Sequence, residues 1–346
     1  MEYVHGGDVY TYEGMIDFSA NINPLGPSEA VMNAAGGAVK YMGQYPDARC
    51  GKLRQALAAK LNTNHDFLVF GNGAAELIFS LVIAAKPKKA LLVAPSFAEY
   101  KQALNGVDCE IVNHYLQEEE DFRLGYDYLD MLSDDIDMIF LCSPSNPVGN
   151  TIEKDLLIDI MRKCRTHNIR MVVDECFYEF LNNHRSETLQ EHIEDNPHLF
   201  ILRAFTKIHA MPGIRLGYAI TSDLKFIDRL DSVRQPWSVS VVAQEAGLAA
   251  LNESDRAEET RRFVKSQREW MEREFKRIGI KYYPPSANYV FLKSHYDLFN
   301  ELKDRGILIR DCSDYDGLTT GYYRVAVRNS DENIALIKEL EDIYSK

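Results

Sequence analysis

The chain has 346 residues, with 39 basic and 52 acidic side chains and a formal net charge of −13. That balance argues against general nucleic-acid binding, which needs a basic face, but leaves room for an anionic ligand in a pocket lined by local arginines. Hydrophobic content of 46% with 26% charged residues is ordinary globular composition, and the length suits one large domain with a smaller one.

The amino terminus, MEYVHGGDVY, is polar and lacks a signal-peptide core. The longest apolar run, Leu77–Ala85, is too short to span a bilayer. The expectation is a soluble, cytoplasmic protein without a membrane partner. The first 40 or so residues are rich in Gly, Asn and Pro and are expected to wrap onto the smaller domain. From about residue 45 to 235, short apolar runs alternate with helical patterns. FLVF (67–70) precedes a helix from GAAELIF, and ALLV (90–93) precedes FAEYKQAL. DMIFLC (137–142) precedes a helix near Glu153–His167, followed by IRMVV (169–173) and LFIL (199–202). This alternation predicts an α/β fold with a mostly parallel, doubly wound sheet, whose ligands bind beyond the carboxyl ends of the strands.

After residue 235 the pattern changes to helices at Val239–Leu251 and Ser254–Ile278, then short strands at IKYY, NYVFL, GILIR and YYRVAV, and a closing helix at Glu332–Tyr344. The expected division is a large domain over 41–235 and a smaller α+β domain made from 1–40 and 236–346. The cysteines (Cys50, Cys109, Cys142, Cys164, Cys176 and Cys312) show no C-x-x-C pair and no His partner at zinc spacing. No metal site is expected, and runs such as IFLC and CEIV treat cysteine as a small buried hydrophobe.

Four segments fall at predicted strand ends: GNGAAE, SPSNPVG, DECFYEF and FTK. In GNGAAE (Gly71–Glu76) the free N–H groups of Gly73, Ala74 and Ala75 open a helix and suit an anion, although such a turn is weak evidence alone. Asp174 ends the apolar run RMVVD, where a carboxylate needs a cationic partner unless it only caps the next turn. Asn146 lies in a turn forced by two prolines, free either to donate to a ligand or to make an Asx-turn. Phe97 follows ALLVAPS and is either a stacking aromatic or a core residue.

The segment RAFTKIHAMPGIRLGY (Arg203–Tyr218) places Lys207 after Thr206 at a strand-to-turn junction, with Arg215 eight residues later. Partial burial there would lower the lysine's pKa and free its amine to form a Schiff base. An isolated Thr-Lys pair is more often an ordinary surface turn. Here a guanidinium and a hydroxyl nearby suit a phosphate.

The order of these parts resembles the fold type I pyridoxal 5′-phosphate (PLP) enzymes of the class I/II aminotransferase family. The resemblance covers essentially the whole chain, from FSANINPLGPS (Phe18–Ser28) through YPD (Tyr45–Asp47) to YYRVAVRN (Tyr322–Asn329). It implies that Lys207 carries the cofactor as a Schiff base, Asp174 pairs with the pyridine nitrogen, Asn146 bonds O3′ and Phe97 stacks on the ring. It also implies that the amides of Ala74 and Ala75, with Thr206 and Arg215, hold the cofactor phosphate. Tyr45 would reach that phosphate from a second subunit, so the active unit would be a homodimer.

The chain departs from the family pattern in two places. Phe177 stands where aminotransferases usually place a tyrosine that bonds O3′, and Ala204 stands where many relatives carry a phosphate-binding Ser or Thr. Several features resemble the threonine-phosphate decarboxylase branch more than the histidinol-phosphate aminotransferase branch. They are His5-Gly6-Gly7 ahead of DFSANINPLG, RQPWSVS (Arg234–Ser240), Phe177, and Arg310 and Arg324 set 14 residues apart. The expected activity is decarboxylation of a small phosphorylated amino acid, with His5, Asn21, Arg310 and Arg324 holding the substrate. Amino transfer from histidinol phosphate is the alternative.

Overall fold

The structure is a computed structural model that describes residues 5–345; Met1–Val4 of the polar amino terminus, and Lys346, lie outside it. The chain opens with a two-residue strand, β1 (Ile16–Asp17), then helix α1 (Glu29–Ala38), whose start is capped by Ser28 accepting from the Val31 N–H. Helix α2 (Gly51–Leu61) leads into β2 (Leu68–Gly71), α3 (Gly73–Ala85), β3 (Lys89–Ala94), α4 (Ala98–Asn105) and β4 (Glu110–Tyr115). Strands β5 (Met138–Cys142), β6 (Arg170–Asp174), β7 (Leu199–Ala204) and β8 (Gly217–Ile220) follow.

These seven strands, β2 to β8, form one sheet in the order β2-β8-β7-β6-β5-β3-β4. The neighbours from β7 across to β4 run parallel, as the alternating pattern predicts. Strand β8 is antiparallel to both β7 and β2. The cause is local: β7 and β8 are joined by a compact loop, Phe205–Leu216, with no crossover helix to carry the chain back to the other end of the sheet. That loop contains Lys207 and Arg215.

Both faces of the sheet are covered, which is why its central strands read as unbroken apolar runs. Leu91, Ile139, Leu141, Met171, Val173 and Ile201 point into one core layer. Their alternating neighbours Leu92, Met138, Phe140, Val172, Phe200 and Leu202 point into the other. Strand β4 lies at the edge and is only partly buried, so its mixed sequence EIVNHY lacks that signature.

The remaining strands are β9 (Lys281–Tyr283), β10 (Tyr289–Lys293), β11 (Ile307–Leu308), β12 (Arg310–Asp311) and β13 (Tyr322–Ala326). Four of them make an antiparallel sheet in the order β12-β13-β10-β9. Helices Ser254–Ile278 and Ser330–Tyr344 pack onto it through Val264, Met271, Phe275, Leu336 and Leu340. The segment GILIR, expected as one strand, divides at Ile309. Ile307 and Leu308 pair in parallel with β1, while Arg310 and Asp311 turn to pair with β13.

Candidate active site

Strands β2, β5, β6 and β7 end at Gly71, Cys142, Asp174 and Ala204 on one edge of the large sheet. The motifs that follow them therefore meet in one crevice. At its floor, α3 starts directly after β2 with no side chain capping its first turn, so the amides of Ala74 and Ala75 keep their anion-binding character. Gly73 has φ +77°, and a Cβ there would come within 2.6 Å of an Arg215 guanidinium nitrogen. Gly217 of β8 is equally constrained, since its Cβ would meet the Ala74 nitrogen at 2.4 Å. The two glycines bring the helix terminus and Arg215 together, and Thr206, in the same loop as Arg215, is buried. Arg215 itself is exposed, with a left-handed φ of 59° and one bond to the Pro212 carbonyl, 3.2 Å.

Asp174 is buried at the end of β6. The Tyr100 hydroxyl donates to one of its oxygens (2.6 Å) and the Cys176 N–H to the other (2.9 Å). Phe97, half-buried just ahead of α4, packs edge-on against Tyr100 with ring centroids 5.7 Å apart. Burial, reinforced by the Arg324 and Arg215 cations, lowers the Lys207 amine to about 8, so it is a free base at lower pH than an ordinary lysine. Its Nζ lies 5.2 Å from the centre of the Phe177 ring, which in turn packs edge-on against Tyr289 at 5.1 Å. Behind Asp174, the fully buried Arg203 donates to Glu175 (2.9 Å), Thr188 (2.8 Å) and Gln190 (2.8 Å). The glutamate accepts a further bond from Thr188, so this ion pair is satisfied on all sides.

The other wall comes from the chain ends. Arg310 and Arg324 stand directly opposite each other on β12 and β13, both buried. Like charges facing across a ladder repel, so the arrangement favours an anion between or beside them. Arg324 donates to Asn146 Oδ1 and to the Ser19 carbonyl (3.0 Å), while its Nε has no partner. With Oδ1 engaged, the amide nitrogen of Asn146 is the group left to donate to a ligand. Arg310 is held by both oxygens of Asp314, at 2.7 and 2.9 Å. Asn21 is buried with its Oδ1 unpartnered.

His5 is exposed, but the glycines after it are docked. A Cβ on Gly6 would lie 2.2 Å from the Ser19 carbonyl oxygen and 3.5 Å from Arg324, and the Gly7 N–H donates to Ser19 Oγ at 2.7 Å. The terminal His-Gly-Gly thus lies over the arginine wall, with His5 Nδ1 3.7 Å from Glu99 Oε1. Tyr45 is 79% exposed and stacks on Trp237 at 4.5 Å.

Sequence reasoning passed over Tyr100, Asn23 and Glu99. Tyr100 follows Phe97 by three residues, the helical spacing that brings it under the same crevice. Asn23 anchors the lysine loop: its N–H donates to the Lys207 carbonyl (3.1 Å) and its amide to Ile208 (2.8 Å) and Thr260 (2.9 Å). Its neighbour Asn21, in the same NIN motif, was the more visible candidate. Glu99 reads as ordinary first-turn helix charge. In the fold it is only 14% exposed, and burial raises it to about 7 against the hydrogen bond from its own backbone N–H, with Asp174 adding to the rise and Lys207 and Arg310 opposing it.

These residues fit PLP. An uncapped helix end and an arginine brought close by two glycines suit its phosphate, a buried carboxylate suits its pyridine nitrogen, and a desolvated lysine suits its aldehyde. Fold and site together define a fold type I PLP enzyme. The family model for aminotransferase class I and II matches residues 13–340, and the chain belongs to that family. It is 36% identical to the threonine-phosphate decarboxylase of Salmonella typhimurium, with 99% of this chain and 96% of that protein aligned. It is 28% identical to a histidinol-phosphate aminotransferase of Caldicellulosiruptor saccharolyticus, covering 96% of this chain and 92% of the relative. The solved histidinol-phosphate aminotransferase of Clostridium acetobutylicum superposes with a TM-score of 0.90 at 29% identity, covering 96% of this chain and 99% of that one. No described helix is long and apolar enough to cross a membrane.

Proposed function

We propose that the protein decarboxylates L-threonine O-3-phosphate to (R)-1-amino-2-propanol O-2-phosphate, a step of cobalamin biosynthesis. The observation that carries this reading is the pair of buried arginines facing each other across β12 and β13, beneath the docked His-Gly-Gly segment. A phosphate monoester, with about −1.5 to −2 charges at pH 7, suits the Arg324 guanidinium, whose Nε has no partner, and would share Arg310 with Asp314. The 36% identity to the Salmonella decarboxylase supports the same choice.

When bound, the cofactor supplies an electron sink for whichever Cα bond stands perpendicular to its ring. In this reading each residue takes the role that its motif implies. Lys207 anchors the cofactor covalently, Asp174 meets its pyridine nitrogen, Asn146 donates to O3′, and Phe97 stacks. The Ala74 and Ala75 amides, Thr206 and Arg215 hold its phosphate, and Tyr45 adds to that cup from the other subunit of a homodimer. Arg310 and Arg324 grip the substrate phosphate, aided by His5 and Asn21. Fixing the phosphate would also fix how the substrate's carboxylate is turned, which would select the bond to the carboxylate as the one to break. The carboxylate would leave as CO2, and the Lys207 amine, once no longer bonded to the cofactor, would be the group placed to give a proton to Cα. Phe177 brings no hydroxyl to O3′. The catalytic division is a large domain over 41–235 and a smaller one from 1–40 and 236–346, acting in the cytoplasm.

Purified protein with PLP and L-threonine O-3-phosphate should release CO2 without 2-oxoglutarate. The second reading, amino transfer from histidinol phosphate, is favoured by the 0.90 TM-score to the Clostridium aminotransferase. Consumption of histidinol phosphate only when 2-oxoglutarate is present, with no CO2 from threonine phosphate, would establish that reading instead.

A further inference from the structure

Glu99 is a largely buried titratable group in the crevice to which the reading above gives no role. Its helix α4 begins immediately after Phe97, so its side chain enters the space between the cofactor side and the arginine wall. Oε1 faces His5 Nδ1 at 3.7 Å, and Oε2 is buried with no hydrogen-bond partner. A buried carboxylate oxygen without a donor is costly, whereas a carboxylic acid with a proton to give needs only an acceptor. The charged groups around it come from four other parts of the chain: His5 of the terminal segment, Asp174 of β6, Lys207 after β7 and Arg310 of β12.

We propose that Glu99 is a specificity-determining residue that meets the substrate as a neutral acid, donating its Oε2 proton to an oxygen of the substrate phosphate. This rests on the phosphate-binding reading of the pocket and deepens it. A second anion in the same desolvated pocket disfavours the charged carboxylate, so the arriving phosphate raises the proton affinity of Glu99 further. Binding therefore takes a proton from solvent onto Glu99. By linkage, the phosphate binds more tightly as pH falls through about 7, the value at which free Glu99 titrates. An anion selected in this way must accept a hydrogen bond where His5 and Arg310 also converge.

The test uses the PLP-loaded enzyme and isopropyl phosphate, a monoester with neither amine nor carboxylate. Titration calorimetry in buffers of different ionisation enthalpy reads the protons taken up at pH 7.5. The phosphate's own titration is common to wild type and Glu99→Gln, so their difference isolates Glu99. Proton uptake by wild type should exceed that of Glu99→Gln by roughly half a proton or more. Between pH 6.5 and 8.5 the affinity of wild type should fall by about tenfold or more relative to Glu99→Gln, whose amide donates at every pH. Glu99→Ala should bind weakly throughout, with the cofactor's visible absorbance showing that it is folded and loaded. Equal proton uptake and parallel pH profiles in wild type and Glu99→Gln would overturn the role of Glu99 while leaving the substrate reading intact. No binding of isopropyl phosphate to loaded wild type would overturn both.

Discussion

Lys207, Asp174 and the α3 turn each lie at the carboxyl end of a strand of one seven-stranded sheet, whereas the opposite wall of the crevice is drawn from both ends of the chain. Gly6, Ser19 and Asn21 come from its start, and Arg310 and Arg324 from near its end. The first side is held by the covered core of the sheet and by the buried Arg203–Glu175 pair behind it. On the second, the backbone of β12 and β13 is fixed in its own sheet, but the side chains rest on a few polar contacts: Arg324 to Asn146 and Ser19, Arg310 to a half-exposed Asp314 and the Asp311 carbonyl, and Gly7 to Ser19. A rigid cofactor floor thus faces a substrate wall whose parts can be altered one at a time. Changes on the floor should abolish chemistry or folding, and changes on the wall should move substrate affinity.

The largest effect is expected on the floor. Lys207→Ala should lose the visible absorbance of covalently held cofactor and lower CO2 release by at least roughly a thousandfold. Retained absorbance and turnover would break the comparison at its root. Next is Arg203→Ala, which strands Glu175 without its cation in a dry interior. A loss of about 3–5 kcal/mol in unfolding free energy is expected from denaturant titration. A loss below about 1 kcal/mol would mean that the floor is no stiffer than the wall.

The same contrast explains what was legible in the sequence. Floor motifs are contiguous, and the sheet that places them announces itself through apolar runs ending at Cys142, Asp174 and Ala204. The reversal of β8 was not legible, because the loop from Phe205 to Leu216 is long enough for either direction until its lack of a helix is known. On the wall, Arg310 and Arg324 were visible as a pair, but their direct opposition depends on the break at Ile309, where one apparent strand divides between two sheets. Glu99 carries no sequence signal at all. Its burial follows from the terminal segment folding back near it, a contact more than ninety residues away in the chain.

Gly6→Ala probes the wall alone. The added Cβ would meet the Ser19 carbonyl at 2.2 Å, and since that atom is backbone, the His-Gly-Gly segment must shift. KM for threonine phosphate should rise by about tenfold while cofactor absorbance and melting temperature stay at wild-type values. An unchanged KM would show that the docked terminus contributes nothing to the wall.

The smallest effect concerns the clamp between the two sheets. Glu118, just beyond β4, accepts from Lys281 and Lys293 Nζ (both 2.6 Å) and from the hydroxyls of Tyr283 (2.8 Å) and Tyr322 (2.6 Å). Burial works to raise its pKa, but these four donors outweigh it and hold the carboxyl well below the usual carboxylate range. Because the folded value is depressed, the contribution to stability is full above the unfolded value of about 4.5 and is lost as pH falls below it. Glu118→Gln should lower the melting temperature by about 2 °C at pH 7, and the gap should narrow between pH 5 and pH 3. The residue is partly solvated, which keeps the effect small, and it lies away from Lys207, so cofactor absorbance should not change. A gap that stays constant with pH would mean that the carboxylate's charge does not fasten the sheets together. The clamp would then owe its strength to the apolar cluster of Phe122, Tyr283, Phe291 and Tyr322.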